Sequence, residues 1–181
     1  MNRFARTFAL LALPLAVAGC EASTDRTDGG GILLTLSIDE WPAIVSLSDP
    51  TVPPVTVGEM TVTSVIKNPA RSASELMTVT ISGYEVTFQR DDGGTRLPPK
   101  LVESLIATVD PGGTFTCEGC YVMRLDQVTN LPLKDLTDFG FDTETNSAAI
   151  RLRVGIQYFG RTLSGDNVAS VPASFTMEVV P

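Results

Sequence analysis

The sequence predicts an all-β fold: an antiparallel two-sheet sandwich of about seven to nine strands, preceded by an N-terminal leader. Three observations carry this expectation. Apolar residues from Ile32 onward recur with a period of two, not 3.6. Gly, Pro, Asn and Asp clusters interrupt these runs roughly every 10–20 residues. The 181 residues are 43% apolar and 19% charged, which suits one packed domain rather than a disordered chain.

The leader is read first. Arg3 and Arg6 open the chain, and Phe8 to Ala18 is an apolar run broken only by Pro14. About 20 apolar residues are needed to cross a bilayer, so this run is too short for a stable span. It ends in Val17-Ala18-Gly19-Cys20. These residues resemble the lipobox of bacterial lipoproteins: an aliphatic residue, two small residues and an invariant Cys. The resemblance implies cleavage after Gly19 and acylation of Cys20, so that residues 1–19 are a signal peptide and the membrane is reached through lipid. Glu21 stands where Asp tends to retain such proteins at the inner membrane, which leans the expectation towards the outer membrane. Residues 20–31 then comprise the lipidated Cys and a polar, Gly-rich tether, EASTDRTDGGG from Glu21.

Loss of Arg3 and Arg6 with the leader leaves 11 basic against 21 acidic residues. With no basic cluster in the sequence, neither nucleic acid nor anionic headgroups are expected partners.

Residues 32–181 are expected to form a single sandwich domain. Leu34, Leu36 and Ile38 alternate with polar residues, as do Met60, Val62, Ser64 and Ile66. Ile150, Leu152, Val154, Ile156 and Tyr158 make the cleanest alternation, and Ala173, Phe175, Met177 and Val179 the last. In Met77 to Phe88 the apolar phase slips by one residue at Ser82-Gly83, which predicts a bulge there or a corner between strands. Leu125 to Phe141 lacks alternation and suggests a helical turn near Leu131 to Leu136 within a long connection, with no convincing amphipathic helix. Lone Trp41 reads as a core residue or sheet-edge plug rather than a ligand-stacking surface.

Short strands with turn signals between them resemble immunoglobulin or fibronectin-III-like domains, with a small closed barrel as the alternative. Val65-Ile66-Lys67-Asn68-Pro69, followed by Tyr84-Glu85-Val86, is similar over some 25 residues to the strand–Asn-Pro–strand pattern of stress-associated LEA/WHy domains, which are also small β-sandwiches.

Candidate chemistry is sparse. No His is present, which removes His-based nucleophile activation and His-ligated zinc. Cys117-Glu118-Gly119-Cys120 predicts a structural disulfide closing a tight turn, suited to an oxidising envelope. Reduced or redox-active thiols are the competing reading, although no helical pattern follows as a thioredoxin-like site would require. Ser64-Val65-Ile66-Lys67 matches the S-x-x-K string of penicillin-recognising enzymes, but on a strand the two side chains point to opposite faces. Asp135, Asp138, Asp142 and Glu144 read as a solvated acidic loop, with calcium binding the minor alternative because the spacing departs from the EF-hand pattern. Carboxylate pairs for glycoside hydrolysis depend on spatial separation, which spacing does not give.

The expected function is a lipid-anchored envelope protein with a non-catalytic binding or scaffolding role, no catalytic, cofactor or metal residues, and an envelope protein or glycan as partner. The alternative is a small-ligand binder, or a carboxylate- or dithiol-dependent envelope enzyme.

Overall fold

The computed structural model describes residues 31–49, 51–70 and 72–181. The expected signal peptide, Cys20 and nearly all of the tether lie outside these residues. Within them the chain forms β1 (Ile32–Asp39), β2 (Ile44–Ser46), β3 (Val55–Thr56), β4 (Glu59–Ile66), β5 (Val79–Arg90), β6 (Leu101–Val109), β7 (Thr114–Glu118), β8 (Tyr121–Met123), β9 (Ile150–Thr162), β10 (Asn167–Ala169) and β11 (Ala173–Val180). Two short helices, α1 (Leu125–Val128) and α2 (Leu133–Phe139), fall between β8 and β9.

The strands build a sandwich. One sheet has the order β1-β4-β7 and the other β2-β11-β9-β5-β6, with β10 pairing the far half of β9 and β3 pairing β8 in a small third sheet. The chain passes between the two principal sheets at β1–β2, β4–β5 and β6–β7, while β9, β10 and β11 follow one another within the larger sheet. The first strand is divided between the sheets. β1 pairs antiparallel with β4, whereas β2 pairs parallel with β11, so the larger sheet is mixed rather than purely antiparallel. The strand count exceeds the expected seven to nine because β2, β3, β8 and β10 are only two or three residues long, below what an alternation pattern can register.

Alternation sets the core. Ile150, Leu152, Val154, Ile156 and Tyr158 of β9 are fully buried, and Arg151 and Arg153 between them are exposed. The phase slip in β5 is a bulge. Ile81 pairs Gly160 and Gly83 pairs Phe159, which leaves Ser82 as the inserted residue. Val79 and Ile81 before it, and Tyr84, Val86 and Phe88 after it, all face the core. The bulge demands close backbone approach. A Cβ on Gly83 would lie 2.3 Å from the Glu103 carbonyl oxygen, and one on Gly160 2.3 Å from that of Thr80.

Other expectations need correction. Met77 belongs to a single 3-10 turn, Glu75–Met77, whose start is capped by the Ser74 side chain accepting from the Leu76 N–H, and β5 begins only at Val79. The irregular segment holds two short helices: Leu133 and Leu136 bury one stripe of α2, and Gly140, at φ 78°, ends it by donating to the Leu136 carbonyl. Trp41 is not a core residue. It is 46% exposed and stacks on Phe175 with ring centroids 5.6 Å apart, covering the β11 side of the sandwich. Asn68 after β4 is ordinary turn chemistry, its side-chain oxygen accepting from the Ala70 N–H.

The sandwich has two distinct ends. At the proximal end β1 begins, β4 finishes (Ile32 opposite Ile66), β5 begins, and β6 and β9 finish (Val79 opposite Val109 and Thr162). At the distal end β5 and β11 finish and β9 begins, with Arg90 opposite Leu152 and Val179 opposite Ile150.

Candidate interaction site at the distal end

The acidic segment is where the structure departs most from the sequence reading. Asp142 is fully buried and Asp135 only 5% exposed, whereas Asp138 and Glu144 are exposed, so the solvated reading holds for only half of the cluster. Two arginines explain the burial. Arg90, its side chain 1% exposed, pairs with Asp92 (Nε to Oδ1, 2.6 Å), with Asp142 (Nη2 to Oδ2, 2.8 Å) and at 3.4 Å with Glu144. Arg96 donates to Asp142 at 2.9 Å and to Asp135 at 3.1 Å. Thr145 adds its hydroxyl and N–H to Asp142, and Thr95 adds both to Glu144.

The electrostatics follow from these bonds. Burial opposes ionisation of Asp142, but hydrogen bonds from Arg90, Thr145 and the Glu144 N–H outweigh it and hold the carboxyl well below the usual range. Asp92 is lowered in the same way, burial being overcome by Arg90 and the N–H groups of Gly94 and Arg151. Glu144 is held at about 2, chiefly by the Thr95 hydroxyl and then by the N–H groups of Arg96 and Thr95. Asp135 is lowered first by the Thr143 hydroxyl. Arg90 is pushed further up: its hydrogen bonds to Asp92 and Asp142 exceed the cost of burial. Carboxylate oxygens that a calcium ion would need are therefore already filled by guanidinium and threonine donors, and among the described residues no group of three or more acidic or Cys side chains could hold a metal.

This network fixes a surface. It ties the end of β5 to the Asp92–Arg96 turn and to the segment after α2. Phe139 and Phe141, on either side of Gly140, remain 59% and 39% exposed with rings 6.3 Å apart. Leu97, just after the Asp92–Arg96 turn, and Leu131, between α1 and α2, are also exposed. The result is an aromatic end loop whose backing is rigid and charged.

Cys117 and Cys120 come together at disulfide distance, with Cα atoms 5.8 Å apart. They occupy a corner where the chain leaves β7 in one sheet and enters β8 in another, with Gly119 in the left-handed conformation at φ 61°. A strand, not a helix, follows. Cys120 is buried, its sulfur 3.8 Å from the Tyr158 hydroxyl. Beside the pair Tyr84 donates to the Tyr121 carbonyl at 2.9 Å, and Arg124 stacks 4.4 Å over the Tyr121 ring while bonding Glu103. Burial, with Glu103 second, pushes the Tyr84 hydroxyl far up, and burial does the same for Tyr158, so both remain protonated. The depression over this corner has a volume of about 290 Å³.

The S-x-x-K string is resolved by position. Ser64 is buried in β4 and Lys67 is exposed beyond the strand's end, so the two do not share the helical face the chemistry requires. Sequence reasoning missed Arg90, Arg96 and Arg124. Arg90 did leave a signal: it continues the even-numbered core phase of Tyr84, Val86 and Phe88, where an unpaired charge would be prohibitive.

No family model matches the chain, and no curated protein matches it. Among solved structures, an X-ray structure of Northeast Structural Genomics Consortium target SoR45 is similar over 81% of this chain and 86% of its own, with a TM-score of 0.41 and 10% identity.

Proposed function

We propose that the protein is a lipid-anchored component of the bacterial cell envelope, held through Cys20, whose immunoglobulin-like domain binds or scaffolds an envelope protein or glycan without catalysis. The carrying observation is the use made of its charged groups. The carboxylates of Asp92, Asp135, Asp142 and Glu144 are engaged by Arg90, Arg96 and local N–H and hydroxyl donors. Their proton affinities are driven away from neutrality, whereas a general acid or base works best near the operating pH. Binding suits what is left exposed: the Phe139 and Phe141 loop on a rigid backing, at a sandwich end where loops of such domains commonly make contacts. The Val17–Cys20 lipobox supports the anchor, and the Cys117–Cys120 corner supports an oxidised, structural pair in an oxidising compartment.

The test has two arms. Cells expressing the chain are grown with a radioactive fatty acid; label should enter the wild type and vanish in Cys20→Ser. The purified protein is then screened against esterase, glycosidase, protease and thiol-reductase substrates. Turnover abolished by one Asp, Glu or Cys substitution, with the fold preserved, would overturn the non-catalytic reading.

A further inference from the structure

Exposed leucines also mark the proximal end. The N–H of Leu163 donates to the Thr78 carbonyl and that of Ser164 to the Leu76 carbonyl, which sets the β9–β10 turn against the turn before β5. Leu76 and Leu163 are each 59% exposed there, beside a depression of about 460 Å³ that also involves Ser74, Thr78 and Asp110. The tether enters at this same end: a Cβ on Gly31 would lie 3.7 Å from the Met77 methyl carbon, and the Lys67 N–H donates to the Gly31 carbonyl.

We propose that this end docks onto the lipid surface that carries the Cys20 acyl chains, with Leu76 and Leu163 inserted at the headgroup boundary. The inference rests on the lipid-anchor reading. Reach selects this end. Eleven residues from Cys20 to Gly31 extend at most about 36–40 Å. The 13 residues of β9 alone run about 43 Å from the proximal to the distal end. That maximum reach falls short of the distal end that carries Phe139 and Phe141, whereas Leu76 and Leu163 lie at the end where Gly31 joins the domain.

Ser74 and Ser164, both exposed, flank the leucines with hydroxyls suited to headgroups. Shallow insertion of about 5–10 Å is the depth expected of such an interfacial contact. Docking in this way would present the Phe139 and Phe141 loop away from the bilayer.

The experiment uses the full lipidated chain reconstituted into phosphatidylethanolamine–phosphatidylglycerol vesicles whose acyl chains are brominated near the headgroup. Trp41, the single native tryptophan, is replaced by Phe, and one reporter is added: Leu163→Trp, Leu76→Trp or Phe139→Trp. Flotation and acyl labelling are read on the same samples, and circular dichroism checks each fold. The expected result is several-fold stronger quenching at Leu163→Trp and Leu76→Trp than at Phe139→Trp; the two proximal reporters keep the reading independent of one misfolded variant. Floating, acylated protein with equal quenching at both ends, or none, overturns docking and leaves the anchor standing. Stronger quenching at Phe139→Trp reverses the orientation and also overturns it. Protein that neither floats nor carries label removes the anchor, and docking with it.

Discussion

β9 and the α1–α2 segment adjoin each other in sequence and are held by opposite means. β9 is placed by apolar alternation: five side chains buried, the residues between them exposed or half-exposed, and pairing on both sides. The segment from Leu125 to Ala149 has two short helices and a stripe of only Val128, Leu133 and Leu136 in the core. Its remaining backing is ionic, through Arg90 and Arg96. The first region resists change because water is excluded from hydrocarbon. The second does so because each buried charge has a partner it cannot lose cheaply.

That contrast is broken most directly at Arg90. Arg90→Met removes one partner and leaves Asp142 and Asp92 buried with too little compensation. Breaking a buried pair in this way costs about 3–5 kcal/mol. Denaturant unfolding should show a loss of this size, accompanied by greater protease sensitivity between Pro132 and Ala149. A cost below that of an ordinary surface substitution would mean that the network contributes no net stability. In β9 the matching change is Leu152→Ala, expected to cost about 2–5 kcal/mol through lost transfer energy and a residual cavity. The two variants should differ in kind: only Arg90→Met should loosen the distal segment ahead of global unfolding.

Acid sharpens the comparison further. The carboxyls of Asp92, Asp135, Asp142 and Glu144 are all lower in the folded state than in the unfolded chain. Their contribution is therefore fully present above the unfolded values, about 4. It is lost as pH falls through the folded values, about 2 for Glu144 and lower for Asp142. Stability should decline below about pH 4, and Arg90→Met should flatten that decline. Leu152→Ala should leave its shape unchanged. Unfolding midpoints measured from pH 2 to 7 decide between these outcomes.

The same contrast explains what the sequence made legible. β9 was readable because every second residue states its face, and the β5 bulge because a phase slip beside a glycine has few other causes. β6 and β7 were not, since their alternation is diluted at the sandwich edge: Ile106 is 88% exposed and Val102 53%. Both strands end their sheets, where burial on the outer face no longer enforces a pattern. The Arg90–Asp142 pair joins residues 52 apart, and a long-range ion pair has no period to betray it. The Cys117–Cys120 pairing was legible because separation by three limits its geometry. The role of Gly83 is testable on the same logic. Gly83→Ala forces a Cβ into the Glu103 carbonyl and should cost about 1–3 kcal/mol by overpacking, read as a lower unfolding midpoint.

The smallest effect belongs to a pair that looks similar on paper. Arg151, at the same distal end and one strand from Arg90, lies 3.5 Å from Glu178, but the two side chains are 58% and 37% exposed. Water screens them, and ordering two long side chains offsets the attraction, so such pairs contribute about 0–1 kcal/mol. Arg151→Ala and Glu178→Ala should each change stability little, and the coupling energy from the double-mutant cycle should fall towards zero in molar salt. The coupling between Arg90 and Asp142 should survive the same salt, because ions do not enter a site 1% and 0% exposed. Equal salt sensitivity of the two couplings would show that water reaches Arg90, and the distal loop would then owe its order to the few apolar contacts of α1 and α2 alone.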